Sequence, residues 1–488
     1  MTGSGGILVL DFGTTSLKAA LVGPEGLPRA TAERDYGAAP APHRQSPEAW
    51  WRAACAAVAA LGEITPSAIA FSGTMENLIP VTAEGRPVGP AMLYSDPCGE
   101  EACRTHAEAL AAIGAAAILG NPPEPLMTAF KILWLAEAEP AVMAAARWLL
   151  LSPKDAVILH MTGRAVTDPT TATTSGMMDL PRRAWSQPIL DLLGIDGKRL
   201  PEILPADSQA GTLDPGPAAA LGLRAGIPVI NGCGDAGAST IGARSTAVGD
   251  VSVYLGTSGW VARVVSDAGI PEPRNCYRLA HPIAGQVIEI APILSAGGSA
   301  AWARRIFGMD LGAADAAALA ADADPPDLVF LPYLSGERSP ELNLDMRGGF
   351  LGLDAKHGPG DLYYAALEGV GFAVADCLRG LVSGSHDPRS VSLGGGGARS
   401  AIWPQLIADM LGRPVEVLLG PEFTTAAGAA CLAGLQTSAV SRSGPTFAPR
   451  RDRQYRRDRL ARAFDEATRF ARRFGPGLCL GASATVDG

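Results

Sequence analysis

Short apolar runs that break on glycine and hydroxyl residues recur along this chain, and two of them carry the same signature. Residues 7–18 read ILVLDFGTTSLK, and residues 251–261 read VSVYLGTSGWV. Each is a strand-forming apolar run, a Gly-Thr-Ser-type turn and a second apolar run, which is the pattern of a β-hairpin. The first is read as a strand at 7–11, a tight turn at 12–16 and a strand at 17–23. A turn of this composition can aim several backbone N–H groups and hydroxyls at one point, as a phosphate cradle does. Asp11 at the strand end suits a hard cation riding on phosphates, and Lys18 adds a point charge. The same residues also make an ordinary self-closed turn. Recurrence favours the cradle: two copies roughly 240 residues apart point to a duplicated domain, with the boundary expected near 240–250.

Between and after the hairpins the pattern alternates strands with helices. Residues 46–61 open on Ser-Pro-Glu and read as a helix. A strand at 68–72 runs into Gly73-Thr74-Met75-Glu76-Asn77, a polar cluster of the kind found at the carboxyl edge of a sheet. The apolar stretch 90–94 ends in Ser95-Asp96, and 102–151 reads as mostly helical, broken at Asn121-Pro122-Pro123. Ser152-Pro153-Lys154-Asp155 caps a helix that stops at Thr162-Gly163. The stretch 168–175, DPTTATTS, reads as a Thr-rich loop whose hydroxyls satisfy one another, with lining a pocket the alternative. A short strand at 228–230 leads into NGCGDAGA, where Asp235 sits among residues small enough to let a substrate approach. That makes it a candidate catalytic carboxylate, although a lone Asp among glycines is also a common turn former.

In the second half, 294–303 puts Gly297 and Gly298 at a helix start, and 329–340 is a strand followed by a loop with Glu337 and Arg338. Residues 362–382 read as one long helix. A strand at 390–393 runs into GGGGARS before a helix at 402–411. Strand, glycine run, helix is the layout that brings backbone N–H groups against a nucleotide.

Composition narrows the class. A chain of 488 residues with 47% hydrophobic and 18% charged residues buries large cores in two or three domains. A formal net charge of −9 gives no global field for nucleic acid. The one basic run, 450–473, holds ten Arg against four acids and reads as a solvated helix. The opening residues lack a signal-peptide pattern, and no run reaches the ~18 apolar residues of a membrane span. Eight cysteines without a CxxC pair and six scattered histidines read as free thiols in a reducing cytoplasm, with no structural metal.

Taken together and in order, DFGTTSLK (11–18), SPKD (152–155), GCGDAGA (232–238), YLGTSG (254–259), FLPYLSGERSP (330–340), GGFLGLDAKHGPGDLYYAALEG (348–369) and GGGGARS (394–400) resemble the FGGY carbohydrate kinases. The resemblance runs from Ile7 to about Gly434, and the bacterial xylulokinase branch looks most alike. It implies an α/β fold of two actin-like (ribonuclease H-like) domains with the active site in the cleft between them. The expected division is 1–245, sugar-binding with the first hairpin, and 246–488, nucleotide-binding with the second. ATP and Mg²⁺ are the implied cofactors. Asp11 would hold Mg²⁺, directly or through water, while Gly13, Thr14, Thr15 and Lys18 would meet the outer phosphates. Gly256 and Thr257 would hold the other side, and Gly297, Gly396, Gly397 and Ala398 would line the nucleotide. Asp235 would be the general base, with Met75, Glu76, Asp96 and Asp235 around the sugar. The implied reaction is phosphorylation of a ketopentose, D-xylulose and ATP giving D-xylulose 5-phosphate and ADP. The partners would be the sugar and ATP, without nucleic acid or membrane, in a possible homodimer. Phosphoryl transfer asks for these residue types, since it needs in-line positioning, charge neutralisation and a carboxylate at the attacking hydroxyl.

Three departures bear on the substrate. Xylulokinases usually carry Met-His where this chain has Met75-Glu76, Trp-Asn-Asp where it has Tyr94-Ser95-Asp96, and Asn where it has Ala236. Glycerol kinases place Arg-Glu at the first of these points. An ionised Glu accepts hydrogen bonds from neighbouring hydroxyls and cannot donate. A kinase of glycerol, a tetritol, a pentitol or another ketose is therefore the alternative expectation. An actin-like ATPase chaperone is a remote third, opposed by the sugar-pocket segments.

Overall fold

The computed structural model describes residues 5–268, 276–382, 387–420, 423–436 and 443–478; Cys479 lies outside them. Strand Ile7–Phe12 is buried at every position except the half-buried Asp11, so it belongs in the middle of a sheet covered on both faces. It pairs antiparallel with Ser16–Val22 and parallel with Ala68–Gly73. The full order is Gln209–Thr212, Pro228–Ile230, Ala68–Gly73, Ile7–Phe12, Ser16–Val22 and Pro28–Asp35, with Cys233–Gly234 also pairing beside Ala68–Gly73.

The second sheet repeats this plan. Its order is Tyr277–Ala280, Gln286–Ile293, Gly259–Ser266, Asp250–Leu255, Ser390–Gly394, Val415–Leu418 and Ser443–Phe447. In both sheets an antiparallel ladder lies on one side of the central strand and a parallel neighbour on the other. The duplication read from the two hairpins is thus present as two mixed sheets.

Helices Pro47–Ala60 and Pro153–Thr162 cover one face of the first sheet through Trp50, Val58 and Ile158. The other face is covered from far along the chain: Ala429 and Ala430 of helix Thr424–Leu432 pack on Val9, Ala20, Ala68 and Ala70. The same helix crosses helix Asp235–Gly242 at glycine. A Cβ on Gly242 would stand 1.8 Å from the Thr424 carbonyl oxygen, and one on Gly428 would stand 1.8 Å from that of Ala238. The helix that begins with Asp235 is therefore locked to the late part of the chain by backbone contact. Helix Pro359–Val382 fills the core under the second sheet.

Three elements differ from expectation. The mostly helical region 102–151 contains a strand, Trp148–Leu150, which pairs with Ile79–Val81; three apolar residues are too few to show a period. The DPTTATTS stretch is a buried helical turn, Pro169–Thr173, capped by Asp168. Its threonines reach outward as well as inward, since Thr170 Oγ1 donates to the Ala280 carbonyl at 2.8 Å and Thr173 Oγ1 accepts from Ala280 N at 3.0 Å. The basic C-terminal helix, Gln454–Leu478, is docked and not merely solvated. Leu460, Phe464, Thr468 and Ala471 are buried, and the apolar ones pack on Val329, Leu331, Tyr333 and Phe372. The number of arginines hid an apolar stripe at helical spacing. Arg456 of the helix pairs inward with Glu368 at 2.6 Å, and Arg450, just before it, with Asp409 at 2.6 Å. Among the described residues every cysteine is free, and no helix is long and apolar enough to cross a membrane.

Candidate active site

Register brings the sequence-singled residues of the first sheet to one edge. Asp11 lies level with Lys18 on one side and Ser72 on the other, Phe12 is level with Gly73, and Gly73 is level with Gly234. The carboxyl ends of three parallel strands thereby deliver Asp11, the turn after Gly73, and Asp235 to the same place. The first hairpin closes through Gly13 N donating to the Ser16 carbonyl at 3.0 Å, which leaves Thr14 and Thr15 exposed at its tip.

Asp235 opens helix Asp235–Gly242, and its Oδ1 accepts from Ala236 N at 2.8 Å. Burial pushes its carboxyl up to about 7, and the charge of Asp11 adds to the rise. Burial also raises Asp11, with Lys18 opposing. A carboxylate poised near neutrality can accept a proton from a hydroxyl at working pH. Behind it, Lys154 is fully buried and bridges Asp155 at 2.8 Å and Asp168 at 3.0 Å, so the SPKD segment supplies more than a helix cap. Asp168 of this buried group lies near enough for its charge to add to the rise at Asp235.

A cavity of about 450 Å³ lies against Asp235. Thr14, Thr74, Met75, Glu76 and Tyr94 line it from the first half of the chain, and Tyr277, Leu279, Ile290 and Arg338 line it from the second. Glu76 stands in the left-handed region at φ 60°, a conformation that costs a bulky residue about 1–3 kcal/mol and needs outside support. Support comes from Lys131, a fully buried side chain whose Nζ donates to the Glu76 carbonyl at 3.0 Å and also to that of Leu126. Asn77 completes the turn, donating to the Thr74 carbonyl at 3.0 Å and accepting from Tyr94 N at 3.1 Å. Among the described residues the Glu76 carboxylate has no hydrogen bond and no ion pair within the chain. It is presented to the cavity, and burial pushes its pKa up to about 7.

Asp96 does not join this group. Its carboxylate is buried, caps Cys98 N at 3.0 Å and pairs with Arg44 at 2.8 Å, so it holds the wall of the cavity without lining it. Tyr94, two residues earlier, lines the cavity instead and lies 3.5 Å from Thr14 Oγ1. Thr174 also lines it, as the alternative reading of the DPTTATTS stretch has it.

The second hairpin builds a separate cavity of about 360 Å³, lined by Gly256, Thr257, Gly297, Gly396 and Gly397 together with Arg304, Asp315 and Tyr363. Gly297 N donates to the Gly256 carbonyl at 2.8 Å, and Gly298 N to that of Thr257 at 2.8 Å. A Cβ on Gly297 would stand 2.4 Å from the Gly256 oxygen, so only glycine lets this helix start against the turn. Ala398 is buried in the core beneath and does not line the cavity. Gly13, Thr15 and Lys18 line neither cavity; they stay on the first hairpin. Lys131, Glu124, Tyr277, Arg304 and Asp315 carry no local motif and could not be singled out in sequence; Tyr363 lies within the 348–369 segment, but nothing there marks it as facing a cavity. A larger, open hollow of about 730 Å³ near Arg147, Arg164 and Trp185 contains none of the singled-out residues.

Comparison with known proteins agrees with this geometry. The FGGY family of carbohydrate kinases matches through its N-terminal domain over residues 6–242 and its C-terminal domain over residues 277–437. Xylulose kinase of Escherichia coli (strain K12) is 34% identical over 434 residues, 87% of this chain and 88% of that protein. Gluconokinase of Bacillus licheniformis is 26% identical over 463 residues, 88% of this chain and 87% of that protein. The crystal structure of xylulose kinase from Rhodospirillum rubrum superimposes with a TM-score of 0.85 at 28% identity, covering 96% of this chain and 99% of that one. Two mixed sheets, two hairpins and the cavities beside them are thus the two actin-like domains of a sugar kinase: the chain belongs to the FGGY family of carbohydrate kinases, ATP-dependent sugar phosphotransferases.

Proposed function

We propose that this kinase phosphorylates a ketopentose, with D-xylulose the first candidate, and that Asp235 is its general base. The observation that carries the reading is one cavity holding both Asp235, raised toward neutrality, and the unpartnered carboxylate of Glu76. Similarity to xylulose kinases at about a third of positions supports the pentulose; similarity to a gluconokinase keeps other sugars in the test. In the reaction a sugar hydroxyl oxygen bonds to the γ-phosphorus of ATP as the bond to the ADP oxygen breaks. The hydroxyl proton passes to the Asp235 carboxylate. Met75 and Glu76 bind the sugar.

Gly13, Thr14, Thr15 and Lys18 meet the outer phosphates, Gly256 and Thr257 face them from the second hairpin, and Gly297, Gly396 and Gly397 line the nucleotide. The donor set fits Mg²⁺: Asp11 and Asp235 are close enough for the charge of one to raise the other, a repulsion that a hard cation relieves. Among the described residues no cluster of three or more ligands exists, so phosphate oxygens and water must complete the shell. Asp11 would hold the ion, which would offset the charge on the phosphate oxygens. We further assign 1–245 to the sugar and 246–488 to the nucleotide, place the enzyme in the cytoplasm and take a homodimer as its assembly.

A second reading, a kinase of a polyol or another ketose, is favoured by Glu76 itself, which accepts from adjacent hydroxyls whether or not a carbonyl is present. A phosphorylation screen over pentuloses, hexuloses, heptuloses, gluconate, pentitols, tetritols and glycerol, ranked by kcat/KM, decides between them. D-Xylulose or another pentulose at the top supports the first reading, and a polyol at the top replaces it with the second.

A further inference from the structure

The loop that carries Arg338 reaches across to the first half of the chain. Arg338 Nη2 lies 3.0 Å from Glu124 Oε2. The two oxygens of Glu124 also accept from the Tyr277 hydroxyl, at 3.1 and 2.8 Å. The Arg338 guanidinium sits over the Tyr277 ring, 4.7 Å from its centroid. Glu124 is held in place from nearby in its own loop. Asn121 Nδ2 donates to the Arg278 carbonyl at 2.7 Å while its Oδ1 accepts from Arg278 N at 2.7 Å, so the loop docks on strand Tyr277–Ala280 as a further strand would.

These three side chains stand between two cavities. On one side is the sugar cavity of about 450 Å³; on the other is a smaller one of about 270 Å³ beside Pro122, Pro292 and Leu342. Glu124, Tyr277 and Arg338 line both. We propose that they are the specificity-determining wall of the sugar cavity, which holds the substrate to a short carbon chain and excludes longer sugars. The inference rests on the sugar reading of that cavity. A longer substrate would have to part a charged pair and its phenol bond, leaving both charges half-buried and unpaired, which opposes its entry. Because Glu124 comes from one half of the chain and Tyr277 and Arg338 from the other, the wall exists only while the halves are together.

The test is a chain-length panel, with kcat/KM measured for five-, six- and seven-carbon ketoses with ATP on the wild-type protein, Arg338→Ala and Glu124→Ala. Either truncation opens the sugar cavity toward its neighbour, and the two approach from different halves, so misfolding of one leaves the other to decide. The expected result is a rise of at least tenfold in the ratio of long-chain to pentulose kcat/KM, mainly through KM. Tyr277→Phe, which keeps the ring, should raise it less than threefold. Folded truncations that still phosphorylate pentulose and keep the ratio within twofold would overturn the wall, as would a uniform loss with unchanged ranking. If the wild-type protein phosphorylates no ketose, the substrate reading fails instead, and the same ratio over three- to seven-carbon polyols decides the wall.

Discussion

Glu76 shows how much one side chain can carry when its backbone is held by others. Its left-handed turn is fastened by Lys131 and Asn77, and its carboxylate faces the cavity beside Asp235. A charged hydrogen bond of this kind is worth about 1.5–3 kcal/mol, so Glu76→Gln should lower kcat/KM on the true substrate roughly 10- to 150-fold. Where the screen ranks a sugar or polyol other than D-xylulose first, Glu76→His should improve D-xylulose relative to it. An unchanged substrate ranking in both variants would remove Glu76 from specificity.

The same residue gives a pH test that needs no substrate. Its ordinary pKa is 4.5 and burial raises it to about 7 in the folded protein. Between those values the folded state binds more protons than the unfolded one, so stability falls as pH rises. Glu76→Gln cannot titrate, and its Tm relative to wild type should climb from pH 5 to pH 8. A flat difference would mean that the carboxylate is better solvated than its surroundings imply. At Asp235, the Asn variant should retain ATP binding and lose roughly 10²- to 10⁴-fold in kcat, the scale of a positioned acid–base group. A loss below tenfold in a folded variant would take Asp235 out of the role.

At the scale of elements, the C-terminal helix separates two ways of reading charge. Counted by composition it is a basic surface helix; in the fold it closes a core through Phe464, 1% exposed and 5.3 Å from Phe372 in ring centroids. Phe464→Ala should cost about 3–5 kcal/mol, as truncation of a buried aromatic does, and lower the first thermal transition clearly. A variant that melts with wild type would restore the solvated reading. The two hairpins behave differently from this helix: each was legible because strand, turn and strand are contiguous, and the turn residues are the ones that the geometry requires.

At the scale of the whole molecule, the cavity beside Asp235 draws its lining from both halves, and the helix that begins with Asp235 crosses helix Thr424–Leu432 through Gly242 and Gly428. Water must be excluded while the γ-phosphoryl is transferred, or ATP is hydrolysed instead. ATP and sugar together should therefore lower the radius of gyration in solution scattering more than either alone. Equal values with and without both ligands would argue that the cleft is already closed when empty.

What the sequence determined by itself is what contiguous residues can state: two strand–turn–strand hairpins, Asp11 and Asp235 at strand ends, the glycine run after strand Ser390–Gly394, and with them the duplicated fold and the kinase family. Hydrophobic period and turn chemistry act over a few residues, so they survive without a fold. Tertiary structure alone decided which side chains share a space. It buried Asp96 against Arg44 while turning Tyr94 into the cavity, and it hid Ala398 beneath the glycines that line the second cavity. It also set Glu124 against Arg338 and Tyr277 across the seam between the halves. Nothing in the local sequence of any of these marks its partner, because ion pairs and cavity walls are made by residues that meet only after the chain has folded.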